Sequence, residues 1–548
     1  MKKQNKIFAL AMATLMVGSS LAACGGTQVQ DDDKRQSVFI NVFNGGYGRE
    51  WLDDIVADYN AANRSDKYKV VVRSAKDEFN TILTALQSDT APYDMFYSNS
   101  NIYKMIDGKL LEPITDVWDS KPDGSDRTIR QMMIGAEDYA KGYADSKGAI
   151  YALPLQESVR SFAYDHDLFL QYGLLFNEQG AFISSPTETL SKGKDGVAGT
   201  YDDGHPITEA QWDLMVKKAT QLLGYAIGYT GKFISYFNDF FYAISAQYDG
   251  VDKFMIQYTL DGTYDFDGDG TEETTIDLDN GYRYAEFRGQ AKAAQWMDTY
   301  LATKDATLGI VNPYVNPKSS GLSYSHTDAQ TDFIVDTAKN KAKKTAMLAE
   351  GDWWENESKP IFDDLAAAKY DNYKYRTHNF KFMTMPLFEG QKEKGSVYAI
   401  AENQYLALKK QSDPEKAAFC KDFMTYAYQP KYIQNFTVKS GGVMPYDVDL
   451  TPEQEAGLSP FVKSFRELYY DRVNNKFVNA QLYDNMYLTT RSGLTFGAGN
   501  SEGWTTLSVL YTMNAEQFTA DRIASIANNW ANQKAKYLDY AAKWESVQ

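Results

Sequence analysis

Two cysteines in 548 residues leave room for at most one disulfide, and four histidines leave little for nucleophilic or metal chemistry. His166, His205, His326 and His378 stand at no metal-ligand spacing, and no H-E-x-x-H, G-x-S-x-G or Walker-type glycine loop occurs. Basic charge is also short. With 56 Lys and Arg against 73 Asp and Glu, the formal net charge is −17, the wrong sign for gripping nucleic-acid phosphates or an anionic bilayer. Past residue 23 no apolar run approaches the ~20 residues that a spanning helix needs. Carboxylate pairs for glycoside hydrolysis are inevitable among 73 acids, and they signify something only at a separation of about 5–9.5 Å. Nothing in the chain asks for catalysis.

The first 23 residues are of another kind. Lys2, Lys3 and Lys6 precede an apolar run from Ile7 to Val17, and small residues follow as far as Leu21-Ala22-Ala23-Cys24-Gly25. This is the pattern of a secretory signal, with an apolar stretch too short to span. Its end resembles the bacterial lipobox. The resemblance implies that Cys24 becomes the mature N-terminus and carries a lipid, holding the protein outside the cytoplasm on the cell membrane. Cys420 is then left without an intramolecular partner. Removing three Lys and no acid takes the charge to −20. Residues 24–36, polar and carrying Asp31 to Asp33, read as a flexible tether.

A chain of 548 residues exceeds what one core can bury, so two lobes are expected. Val38 to Phe43 reads as a strand and Asn44-Gly45-Gly46-Tyr47-Gly48 as a tight loop after it. Trp51, Leu52, Ile55, Val56 and Tyr59 share one helical face. A second strand at Tyr68 to Val72 follows, then a helix at Glu78 to Gln87 with Phe79, Ile82, Leu83 and Leu86 inward. A third strand occupies Asp94 to Ser98. Such alternation predicts a parallel sheet with right-handed crossovers, whose ligands gather at the carboxyl ends of the strands. Those ends are the Asn44–Gly48 loop and Tyr97-Ser98-Asn99. Gly45-Gly46-Tyr47-Gly48 lacks the G-x-G-x-x-G spacing of a dinucleotide cradle.

Lys147-Gly148-Ala149-Ile150-Tyr151-Ala152-Leu153-Pro154, followed by Phe162-Ala163-Tyr164-Asp165-His166-Asp167-Leu168-Phe169, resembles a signature of family 1 extracellular solute-binding proteins. These are the carbohydrate receptors of ABC importers, related to maltose-binding protein. Thr345-Ala346-Met347-Leu348-Ala349-Glu350-Gly351-Asp352-Trp353 resembles the family's strand that leads to a sugar-stacking Trp. Asp413-Pro414-Glu415-Lys416-Ala417-Ala418 opens a helix carrying Phe419 and Phe423, as a late helix of the family does. Ser440-Gly441-Gly442-Val443-Met444-Pro445 resembles its G-x-x-P turn. The segments are short, but with the lipobox they occur in family order over most of the chain.

The resemblance implies an α/β, two-lobed periplasmic-binding-protein-like fold, each lobe a mostly parallel sheet flanked by helices, joined by a hinge that the chain crosses several times. It implies one lobe from residues 37–153 plus 397–445 and another from 154–396 plus 446–548. Phe461, Phe465, Leu468 and Tyr469 are spaced like the core face of a helix, and the tail after 446 reads as helical. A monomeric receptor delivering its ligand to ABC permease subunits, and no enzyme, is the implied role.

Residues 172–285 form an enlarged, acidic insert relative to compact family members. Within it, Asp265-Phe266-Asp267-Gly268-Asp269-Gly270 opens like an EF-hand loop: alternate carboxylates converge on a hard cation, and Gly at the sixth place permits the turn. The twelfth place is Ile276, where a bidentate Glu should stand, so Glu273 or Asp277 would have to substitute, with Thr271 beside them. Asp195, Asp202 and Asp203 make a second candidate. Large oligosaccharide-binding members of the family hold calcium in such an insert. The resemblance thus implies a structural, non-catalytic Ca²⁺, against the alternative of a plain acidic Asp-Gly turn.

Aromatic surface is what the chain has in quantity: 40 Tyr, 29 Phe and 9 Trp. A pyranose offers an apolar C–H face and a rim of hydroxyls, so its receptor needs flat aromatic platforms edged by groups that hydrogen-bond in pairs. Trp353 matches the family's stacking Trp. Trp354, one residue on in an extended chain, is expected on the opposite face. Asn44 and Tyr47 in the first loop, and Tyr97 and Asn99 after the third strand, lie where family members reach ligand. Gln156 and Glu157 lie at the hinge crossing where the family places a ligand-bonding acid, with Ser158 the alternative. Tyr236 and Asp239, and Trp504 closing the Gly499–Trp504 loop, complete the set. The expectation is a receptor that shuts on an oligosaccharide in an aromatic cleft. Its rivals are an anchored glycan hydrolase or lyase and a glycan-binding adhesin.

Overall fold

Val38, Ile40 and Val42 recur at the two-residue period of a strand, and β1 (Gln36–Val42) buries all three. The computed structural model describes residues 33–74, 81–99, 102–145, 147–233, 235–272, 274–303, 312–479 and 507–545. β1 pairs in parallel with β2 (Tyr68–Ser74) and β3 (Met95–Ser98). The helix Glu50–Ala61 crosses from β1 to β2 and buries the five residues its periodicity singles out. The next helix is described from Ile82 to Gln87; Ile82 and Leu86 are buried, Leu83 is half-buried, and Phe79 lies outside the described residues.

The remaining strands are β4 (Ala152–Asp165), β5 (Gly224–Gly228), β6 (Gly262–Tyr264), β7 (Thr274–Ile276), β8 (Lys344–Gly351), β9 (Phe380–Met383), β10 (Ser396–Leu408) and β11 (Asn475–Val478). One sheet runs β2-β1-β3-β10-β4-β8-β5, with β11 beside β10 and β9 beside β4, while β6 and β7 form a separate hairpin. The outer strands are parallel, β1 to β2 and β3, and β5 to β8. Where β10 meets β3 and β4 meets β8 the pairing is antiparallel. β4 and β10 are themselves antiparallel, as follows when one long strand carries the chain across the molecule and the other returns it. Their register slips between Ile400 and Glu402 and again between Gln404 and Tyr405.

Buried apolar side chains gather into two large clusters. One takes Val38 through Leu155 and Ala401 through Tyr446, with Trp353; the other takes Val159 through Ile400 and continues to Phe518. The change of cluster falls inside β4 and β10, at the same level of both strands. The tail is helical at Pro460–Tyr470, which buries Phe461, Phe465, Leu468 and Tyr469 as expected, and at Ala515–Glu545. It also contains β11, which the helical reading of the tail misses. Four residues are too few to show a period, and Phe477 gains its place by packing on Tyr398 and Tyr469. Among the described residues no helix is long and apolar enough to cross a membrane.

Candidate ligand-binding cleft

A cleft of about 530 Å³ opens where β4 and β10 pass from one apolar cluster to the other. That size falls within the ~300–1,000 Å³ usual for small-ligand sites. Its walls come from the loop after β1, from Gln156 and Arg160 of β4, from the start of the helix Ser235–Asp249, and from Trp353 after β8.

The position of Trp353 is written in two glycines. A Cβ on Gly351 would stand 2.0 Å from indole Cζ3, and one on Gly46 would stand 2.8 Å from the Cβ of Trp353. The indole therefore folds back over bare backbone on one side and leans on the first loop on the other. Tyr47 meets it edge-on at 6.4 Å and Tyr236 at 6.2 Å, while the Arg160 guanidinium lies 5.1 Å from its ring and 3.7 Å from that of Tyr236. Phe233 extends the aromatic wall, stacked on Tyr236 with ring centres 6.5 Å apart.

Polar groups fix the floor. Tyr47 Oη lies 2.7 Å from Ser158 Oγ and donates to Asp352 Oδ2 at 2.9 Å, and Asp352 Oδ1 accepts the Val159 N–H at 3.0 Å. Gln156 Nε2 donates to Ser158 Oγ at 3.2 Å, leaving its buried Oε1 with no partner among the described residues. Arg160 and Asp239 form a buried ion pair. Farther along, Gln330 donates to both Glu350 and Glu357, at 3.2 and 2.7 Å, and His326 Nε2 sits 3.3 Å from Glu357. Burial, and then the like charge of Glu357, raise the Glu350 carboxyl; the bond to Glu357 raises the His326 imidazole. Paired hydrogen-bonding groups edging aromatic faces are what a saccharide surface requires.

Of the residues singled out from sequence, Trp353, Tyr47, Asn99, Gln156, Tyr236 and Asp239 line this cleft together. Others go elsewhere. Asn44 is exposed beside it. Tyr97 is buried edge-on against Trp51. Glu157 faces away from Gln156, as strand alternation demands, and accepts from Tyr469 Oη at 2.7 Å. Trp354 is walled in by Phe333, Phe362, Phe380 and Phe461, because β8 ends at Gly351 and a short helix, Trp354–Glu357, turns that side chain into the core. Trp504, Cys24 and Glu273 lie outside the described residues. Arg160, Phe233, Asn238, His326, Glu357 and Gln404 line the cleft without having been singled out. Parity along β4, counted 156, 158, 160, contains the signal for Arg160.

The acidic insert places Asp265, Asp267 and Asp269 on the loop between β6 and β7, with one carboxylate oxygen of each within 4.8 Å of the others. That donor set fits a hard cation. Asp265 also accepts the N–H groups of Gly268 and Gly270, at 2.6 and 3.0 Å, and Asp269 accepts that of Thr271 at 2.7 Å. Asp277 caps the following turn through Asp279 and Asn280. Asp202 is spent on its own loop, accepting the Lys194 N–H at 2.6 Å, and Asp203 accepts that of Gly199. Asp195 likewise accepts the Val197 N–H.

No protein-family model matches the chain, and no curated protein sequence does. Solved structures do match. The chain is similar to a probable secreted solute-binding lipoprotein from Streptomyces coelicolor, with a TM-score of 0.54 and 13% identity over 90% of this chain and 99% of that one. It is similar to a chitin oligosaccharide binding protein, with a TM-score of 0.52 and 14% identity over 90% and 99%. It is also similar to SBP RafE in complex with raffinose, with a TM-score of 0.51 and 12% identity over 90% and 98%. The chain thus has the two-lobed α/β fold of solute-binding proteins.

Proposed function

We propose that this protein is the substrate-binding component of an ABC importer, held to the outside of a cell membrane through a lipid on Cys24, and that it captures an oligosaccharide between its two lobes. The observation that carries this reading is that Trp353, Tyr236 and Tyr47 line one cleft together with the polar Gln156, Asn99 and Asp239. The ligands of two structural neighbours, raffinose and chitin oligosaccharide, support the same ligand class. A sugar that touches both lobes stabilises the closed form by its differential affinity for that form, and closure creates the surface that a permease reads.

Calorimetric titration with defined glucans, xylans, mannans, fructans, galactosides and chitin oligosaccharides tests the reading. Micromolar or tighter binding of one class, weakened roughly 30-fold in Trp353→Ala, is expected. Tight binding of monosaccharides alone would contradict the oligosaccharide assignment, and turnover of any panel member would favour a hydrolase or lyase. Asp265, Asp267 and Asp269 are proposed to pin the insert loop around a calcium ion. A melting temperature that falls several degrees with chelator and recovers with Ca²⁺ is the expected sign.

A further inference from the structure

β4 continues five residues past the cleft arginine, about 17 Å at the rise of a strand, and ends at a second polar cavity of about 300 Å³. Asp165, Asp167, Tyr373, His378 and Lys344 line it. His378 Nδ1 lies 2.8 Å from the Asn372 carbonyl oxygen, which can only accept, so Nδ1 carries the ring proton. Nε2 then points at Asp165 Oδ2 across 2.9 Å. Two lone-pair acceptors face each other there. A positive centre must lie between them, either a second ring proton or a metal ion.

The surroundings favour the metal. Asp165 Oδ1 accepts the Leu168 N–H at 3.0 Å, and Asp167 Oδ1 accepts from Asn379 Nδ2 at 2.8 Å. The Tyr373 ring stacks on the imidazole at 4.1 Å, and its hydroxyl donates to Asp165 Oδ2 at 3.1 Å. One ligand atom each from Asp165, Asp167 and His378 lies within 4.8 Å of the other two. Each of the three side chains is thus held by an outer partner, the arrangement that orients metal ligands. A plain imidazolium–carboxylate pair needs neither the second carboxylate nor the cavity. Lys344, only 6% exposed, lines the same cavity, and its ammonium has no partner among the described residues. It is placed to meet an anion riding on the metal's open positions.

The geometry points to a divalent transition-metal site of the Zn²⁺ class at Asp165, Asp167 and His378, open toward Lys344. One imidazole with two carboxylates suits zinc-like ions better than calcium, which takes oxygen ligands alone. Two ligands about 2.0–2.2 Å from a tetrahedral ion stand about 3.4 Å apart, so the 2.9 Å Nε2–Oδ2 gap has to widen by about 0.5 Å to admit it.

The test is calorimetric titration of the untagged, chelator-stripped chain with ZnCl₂, alone and in excess Ca²⁺. One Zn²⁺ per chain is expected, with a rise in melting temperature, unaffected by Ca²⁺ and retained in Asp265→Asn. Asp167→Asn changes an exposed side chain. It is expected to leave the metal-free melting temperature in place while weakening zinc roughly tenfold or more. His378→Gln is expected to abolish binding; should that variant fail to fold, Asp167→Asn decides alone. A stripped chain that takes up no stoichiometric zinc, or undiminished binding in Asp167→Asn, overturns the site.

Discussion

Trp353 and Trp354 are neighbours with opposite fates, and the difference is measurable. Trp353→Ala removes a platform about as large as any side chain offers, so oligosaccharide affinity is expected to drop by about 2 kcal/mol, roughly 30-fold, alongside a stability loss, because the indole is also largely buried. Trp354→Ala empties a fully buried site and is expected to cost about 3–5 kcal/mol of stability, read by denaturant midpoint. Gly351→Ala touches no ligand, yet its new methyl group occupies the space of the indole. It should weaken binding nearly as much as losing the ring, which calorimetry would register. Gly351-x-Trp353 was legible in the sequence through its resemblance to the family's segment before the stacking Trp, while the close approach of Gly351 to the indole is a finding of the structure. Arg160 was not, since a charged residue inside an apolar strand stands out only after its parity with Gln156 is counted.

Among the elements, the strand–helix alternation from β1 to β3 could be read directly, because each piece is long enough to show its period. The chain between β8 and Phe380 could not. Reading it as continued strand puts Trp354 opposite Trp353, away from the cleft as found, but misses the short helix after Gly351 that also buries Glu355. Ser459 Oγ donates to that carboxylate at 2.5 Å, and burial pushes its pKa up to about 7, from 4.5. Between those values the folded chain binds more protons than the unfolded one, so this group's contribution to stability is present below pH 4.5 and fades as pH rises through 7. Glu355→Gln keeps an acceptor for Ser459 and removes the charge. It is expected to gain up to about 3 kcal/mol at pH 8 and nothing near pH 4, at about 1.4 kcal/mol per pKa unit. Denaturant melts of both proteins across that range check the slope.

For the whole molecule, the expected division into two lobes followed from chain length and from segments in family order, while the path of the cleft floor did not. No local pattern reveals that β4 and β10 lie side by side some 240 residues apart in sequence. If the lobes shut on sugar, small-angle scattering should show a smaller radius of gyration with saturating ligand, and a smaller decrease for Trp353→Ala at the same concentration. Because β10 belongs to both halves of the sheet, neither half owns its full set of strands until Leu408 exists, about three quarters of the way along the chain. A fragment stopping before Ser396 lacks the strand that joins β3 to β4. Long-range pairing of this kind folds slowly. Joining of the two halves therefore waits for the last strand of the main path, β10, however early the other strands pair.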